Sequence, residues 1–113
     1  MIRIYHNPRC RKSRETLEII RQAGYEPEII DYLQNPPSKN ELKEMLEKMG
    51  KSPEQIIRKG EDIFKSNFKG RTLSEEEWIE VLVNNPKLLE RPIVVHDEKV
   101  ALGRPPENVR SIL

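Results

Sequence analysis

The first 32 residues carry two strand patterns separated by one helix pattern, and that order restricts the fold more than any other feature of the chain. Ile2, Ile4 and Tyr5 make a short strand pattern that stops at Asn7-Pro8. From Arg11 to Gln22 the apolar residues Leu17, Ile19 and Ile20 recur on one helical face, and Ala23-Gly24 supplies a stop. Glu28-Ile29-Ile30-Asp31-Tyr32 reads as a second strand. Two strands joined through a helix form a parallel pair with a right-handed crossover. A sheet covered by helices is therefore expected from the N-terminus onward.

The middle of the chain reads as helical. After the turn Gln34-Asn35-Pro36-Pro37, Ser38 caps a helix and Glu41 completes a capping box. Leu42, Met45, Leu46 and Met49 give that helix its buried face, and Gly50 ends it. A shorter helix starts at Ser52-Pro53-Glu54 and runs to about Gly60. Ser74-Glu75-Glu76-Glu77 opens another, with Trp78, Val81 and Leu82 facing inward. Ile93–Val95 and Val100–Leu102 are short strands around the turn Asp97-Glu98-Lys99, and a final helix starts near Pro106. The order βαβ, helices, ββα is that of an α/β, thioredoxin-like fold. It predicts a central mixed four-stranded sheet flanked by helices, with a helical insertion over about residues 38–89. At 113 residues the chain suits one domain, 1–113, with a modest core. Charged residues are as frequent as hydrophobic ones, at 35% each, yet a net charge of +1 and clear amphipathic periods favour a folded domain over disorder.

That charge balance argues against a general nucleic-acid or anionic-membrane binder. No apolar run reaches the length of a membrane span and no signal-peptide core opens the chain, so a reducing, cytoplasmic setting is expected. The one cysteine, Cys10, cannot form an internal disulfide. It falls where the first strand turns into the first helix, at amides that favour an anion and hence a thiolate. The same amides would hold an oxyanion. Arg9, Arg11, Lys12 and Arg14 would add to this where their side chains turn inward. The plainer alternative is a small residue packed at a loop. Against it stands the pattern Cys10-Arg11-Lys12-Ser13, which resembles a monothiol redox site with a hydroxyl in place of the resolving cysteine. Two histidines and one cysteine at these spacings do not make a zinc site, so no metal is expected.

The run "IYHNPRCRKSRETLEII" resembles the active-site segment of the glutaredoxin-coupled, ArsC-like arsenate reductases. Three further stretches agree in order: "IIRKGED" at 56–62, "ERPIVV" at 90–95 and "LGRPPENV" at 102–109. The resemblance covers Ile2 to Leu113. It implies reduction of arsenate to arsenite, with Cys10 as nucleophile and Arg58, Arg91 and Arg104 binding the oxyanion and its thiol adduct. It places His6 and Ser13 beside the nucleophile, His6 to keep the thiol reactive. Arg11 and Lys12 stand where some relatives have small or neutral residues, either to strengthen anion capture or as surface charge, and Arg11 is set with the substrate-binding arginines. Glutathione enters as co-substrate and glutaredoxin as the protein reductant, with no tightly bound cofactor. Arginine suits such a substrate, because its planar fork grips paired oxygens where lysine offers a point charge. The fold also implies a cis Arg91–Pro92 bond facing the cysteine.

Two other readings stay open on the sequence. The Spx-type regulators share this fold and bind RNA polymerase, though many carry a CxxC switch that Cys10 and Ser13 do not supply. A glutathione-dependent thiol oxidoreductase acting on a different substrate would keep the roles of Cys10 and of the helix start.

Overall fold

Strand β1 (Ile2–His6) alternates as a strand with one neighbour on each side must: Ile2 and Ile4 point to one face, Tyr5 to the other, and all three are buried. The structure, a computed structural model, describes residues 1–113 and orders the sheet β2-β1-β3-β4, with β2 at Glu28–Asp31, β3 at Ile93–His96 and β4 at Lys99–Leu102. β1 and β2 pair in parallel, while β1 with β3 and β3 with β4 are antiparallel, which makes the expected mixed four-stranded sheet.

Helix α1 (Arg11–Gln22) makes the crossover between β1 and β2. It ends in a Schellman motif: Tyr25 N–H bonds the Ile20 carbonyl and Gly24 N–H that of Arg21, with Gly24 at φ 93°. Leu17 and Ile20 of α1 pack with Ile2, Ile4 and Val94 of the sheet and with Val109 and Ile112 of a terminal 3-10 helix (Pro106–Ile112). Gly103 allows the closest approach here. A Cβ on it would lie 2.6 Å from Thr16 Oγ1 and 2.8 Å from Pro92 Cγ, so no larger residue fits without displacing α1 or the start of β3.

The chain forms two compact units. The first holds Met1–Asn35 and Arg91–Leu113, and the second Pro36–Glu90. The second contains α2 (Lys39–Met49), α3 (Asp62–Asn67) and α4 (Glu75–Asn84), with 3-10 turns at Pro53–Ile56 and Pro86–Leu88. Ser38 with Glu41 and Ser74 with Glu77 form complete capping boxes at the starts of α2 and α4.

Several elements differ from the sequence reading. The turn after Pro53 stops at Ile56, short of Gly60, because Ile57 is extended and bridges Leu89. Arg58 N–H donates to the Leu88 carbonyl at 2.7 Å, and Glu90 N–H to that of Ile56 at 2.8 Å. Helix α3 has six residues and one buried side chain, too little period to read from sequence. Its Phe64 stacks on Trp78 at 6.2 Å. In α4 the inward set is Trp78, Ile79 and Leu82, with Val81 only partly buried, and Met49 of α2 is likewise partly exposed. The terminal helix is 3-10.

Candidate active site

Register brings one set of residues together at a single end of the sheet. Tyr5 of β1 faces Ile93 at the start of β3, Ile93 faces Leu102 at the end of β4, and His6 faces Asp31 at the end of β2. The loop leading to Cys10, Arg91 before β3, Arg104 after β4 and Tyr32 after β2 all leave from this end.

The loop is shaped by Asn7. Its carbonyl accepts the Cys10 N–H at 3.0 Å, its Oδ1 accepts the Arg9 N–H at 3.0 Å, and its own N–H donates to Ser13 Oγ at 3.1 Å. Cys10 thereby takes the N-cap of α1, extended at φ −92° and ψ 121°, and its carbonyl accepts the first helical bond, from Arg14. A side chain at this position meets the unpaired N–H groups of the first turn. No capping hydrogen bond closes on the Cys10 side chain within ordinary limits. The amides of Ser13 and Lys12 nevertheless face the sulfur and act on its charged form.

Burial pushes the Cys10 thiol up, but the Ser13 N–H, the Arg91 guanidinium and the Lys12 N–H together outweigh it, and the thiol lies below its ordinary value. Arg91 is the one side chain among these causes. It enters from the far half of the sequence and its guanidinium meets both the Cys10 sulfur and the Tyr32 hydroxyl. Its Nε is buried with no hydrogen-bond partner, a donor free for an anion. Arg104 lies beside Arg91, where its Nη1 donates to the Arg91 carbonyl at 3.2 Å. The Arg91–Pro92 bond is cis, as the sequence implied. The Arg104–Pro105 bond is cis as well, and was not foreseen.

His6 and Ser13 form a buried pair behind the loop. His6 Nδ1 lies 2.6 Å from Ser13 Oγ, with His6 7% and Ser13 0% exposed. Burial depresses the His6 pKa, Arg21 adds to this, Asp31 opposes it, and Arg14 depresses it further. The ring is thus held neutral near pH 7. Ser13 acts on the sulfur with its backbone N–H, while its hydroxyl is turned to His6 and Asn7.

No side chain of the cations flanking Cys10 in sequence acts on its sulfur. The Arg11 side chain is 85% exposed and bonds Glu15 at 2.8 Å, so it points to solvent and has no part in lowering the Cys10 pKa. Arg9, Lys12 and Arg14 are exposed, and Arg14 Nη1 donates to the Pro8 carbonyl at 2.9 Å. Arg58 belongs to the second unit, where Glu61 lies 3.5 Å from its Nε and Glu90 3.8 Å from its Nη1. Sequence reasoning missed Tyr32, which passed as the last residue of a strand, and Asn7, which passed as a strand stop. The available signal for Asn7 was its position, since an Asn ahead of a helix start is a common partner for nearby backbone N–H groups.

The ArsC family model matches residues 5–112 of this chain. The uncharacterized protein YfgD of Escherichia coli (strain K12) is 46% identical over 99% of this chain and 96% of its own. The arsenate reductase of Haemophilus influenzae (strain Rd) is 42% identical over 97% of both chains. Among solved structures, the arsenate reductase from Vibrio cholerae superposes with a TM-score of 0.93 at 40% identity, covering 99% of this chain and 97% of that one. The agreement is full-length in sequence and in fold, and this chain belongs to the ArsC family.

Proposed function

We propose that this protein is an arsenate reductase whose nucleophile is the Cys10 thiolate and whose electrons come from glutathione and glutaredoxin. One observation supports this reading above the others: a thiol held below its ordinary pKa by two helix amides and a guanidinium that keeps a buried donor free. Full-length relatives named arsenate reductase supply the substrate class.

Attack by Cys10 on arsenic expels one oxygen as water and leaves a thiol-bound As(V) anion. Arg91, with Arg104 beside it, offsets the meeting of two negative charges as the S–As bond forms. A glutathione thiol displaces a second water. The glutaredoxin thiolate then attacks the glutathione sulfur, and the S–As bond breaks with its electron pair left on arsenic. Arsenic is now As(III) on Cys10, and the two donor thiols leave as one mixed disulfide. Water releases arsenite and restores the Cys10 thiol. Arg58 is the third arginine of this proposal. His6 and Ser13 set the loop and the first-turn amide rather than touching sulfur. Arg11, paired with Glu15, has no role in the chemical step.

The test is arsenite formation by the purified protein with arsenate, glutathione and glutaredoxin, each omitted in turn. Turnover that needs all three supports the reading. Turnover of other thiol substrates but not arsenate would assign a different substrate to the same thiol.

A further inference from the structure

The side chains of the four cations that flank Cys10 in sequence serve neither its thiolate nor its helix. Arg9, Arg11, Lys12 and Arg14 account for four of the six residues from Arg9 to Arg14, and all four are exposed. The first turn of α1 contains no acidic residue, whereas α2 and α4 place Glu41 and Glu75–Glu77 in theirs. Positive charge at a helix N-terminus opposes the helix dipole, so this arrangement costs stability. Of the four, only Lys12 contributes to lowering the Cys10 pKa, and it does so through its backbone N–H. Glu15 pairs with Arg11, while no acidic side chain pairs with Arg9 or Lys12. Successive helical residues point roughly 100° apart, so Arg11, Lys12 and Arg14 spread around the axis rather than converge on one point. One small anion cannot meet all of them, but a broad acidic face can.

We propose that this basic rim is the docking surface for the protein thiol that reduces the Cys10 adduct, and that the partner surrounds its own thiol with acidic residues. The proposal rests on the reductase reading above and names the face its protein reductant meets. Charge complementarity of this kind acts mainly on encounter and is screened by salt.

The test uses the variant Arg9→Gln/Lys12→Gln, which changes no group that touches the sulfur through its side chain. In the coupled assay the KM for glutaredoxin should rise roughly threefold or more, with the KM values for arsenate and glutathione unchanged. In the wild type, added salt should lower kcat/KM for glutaredoxin, and less so in the variant. A KM change confined to glutathione or arsenate would overturn the proposal in favour of a small-anion role. Unchanged KM values for all three would overturn it outright, and retention on duplex DNA that the variant loses would transfer the rim to nucleic acid. A second readout separates this proposal from the reductase reading. The Cys10 thiolate exchanges with the dianionic disulfide 5,5′-dithiobis(2-nitrobenzoate) and the neutral 2,2′-dithiodipyridine, forming a mixed disulfide and releasing one aromatic thiolate each time. The two carboxylates of the dianion lie well outside its disulfide, where a compact arsenate bound at Cys10 does not extend, so the rim predicts a rate ratio favouring the dianion that falls in the variant, whether or not arsenate is turned over. An equal ratio in both proteins would contradict the rim while leaving the reductase reading intact.

Discussion

Helices α1 and α4 begin in opposite ways. At α4, Ser74 Oγ accepts the Glu77 N–H at 3.1 Å, the Glu77 carboxylate accepts the Ser74 N–H at 2.9 Å, and three glutamates meet the positive end of the dipole. At α1 the cap is Cys10, a weak acceptor with no closed capping bond, and the first turn brings cations in place of acids. The first arrangement satisfies orphan amides with the chain's own oxygens. The second leaves amides facing a sulfur that gains from them only when it is charged. One start is built to hold a helix, and the other to hold a thiolate at the cost of holding the helix less well.

Substitutions that erase this contrast should differ widely in effect. Cys10→Ser removes the nucleophile of the proposed reaction, and arsenite formation should fall to background while the circular dichroism spectrum is kept. Arg91→Ala removes the side chain that stabilises the charged sulfur, and a loss of about a hundredfold in kcat/KM for arsenate is expected from steady-state kinetics. Undiminished turnover by either variant would sink that residue's assignment. Ser74→Ala breaks the capping box of α4 and should lower stability by about 1 kcal/mol in urea denaturation, with Cys10 reactivity unchanged. The smallest effect tests the comparison in the other direction. Lys12→Glu makes the start of α1 more like that of α4 and should raise stability by about 0.3–1 kcal/mol while slowing reaction with anionic disulfides.

The sheet and its connections were legible because they rest on long-range rules. A βαβ order forces a parallel pair, and the alternation of Ile2, Ile4 and Tyr5 fixes which side of β1 meets α1. The capping box at Ser38 was legible because both partners lie within four residues, and at Ser74 the run of glutamates marked the helix start without the box itself being read. Local charge was the misleading signal. Arg11 lies beside Cys10 in sequence and turns away to Glu15, whereas Arg91, 81 positions from Cys10, reaches its sulfur. Which side chain meets which is decided by the pairing of β1 with β3, and adjacency in the chain carries no such information. Tyr32 was hidden for the same reason, since its value comes from where β2 ends relative to Arg91. The helix α3 and the bridge between Ile57 and Leu89 escaped because each is short and is set by packing within its own unit.

The depressed Cys10 pKa fixes the sign of two pH dependences. Folding favours the thiolate, so the group's contribution to stability is complete above the unfolded thiol value of about 8.5 and is lost as pH falls through the lower folded value. Reactivity follows the thiolate over the same interval. The most direct measurement is the pH titration of Cys10, followed by thiolate absorbance and by the rate of alkylation with iodoacetamide, in the wild type and in Arg91→Ala. The wild-type midpoint should lie below that of a free thiol and should move upward in the variant, because the guanidinium no longer helps to offset burial. A wild-type midpoint at or above that of a free thiol would contradict the account.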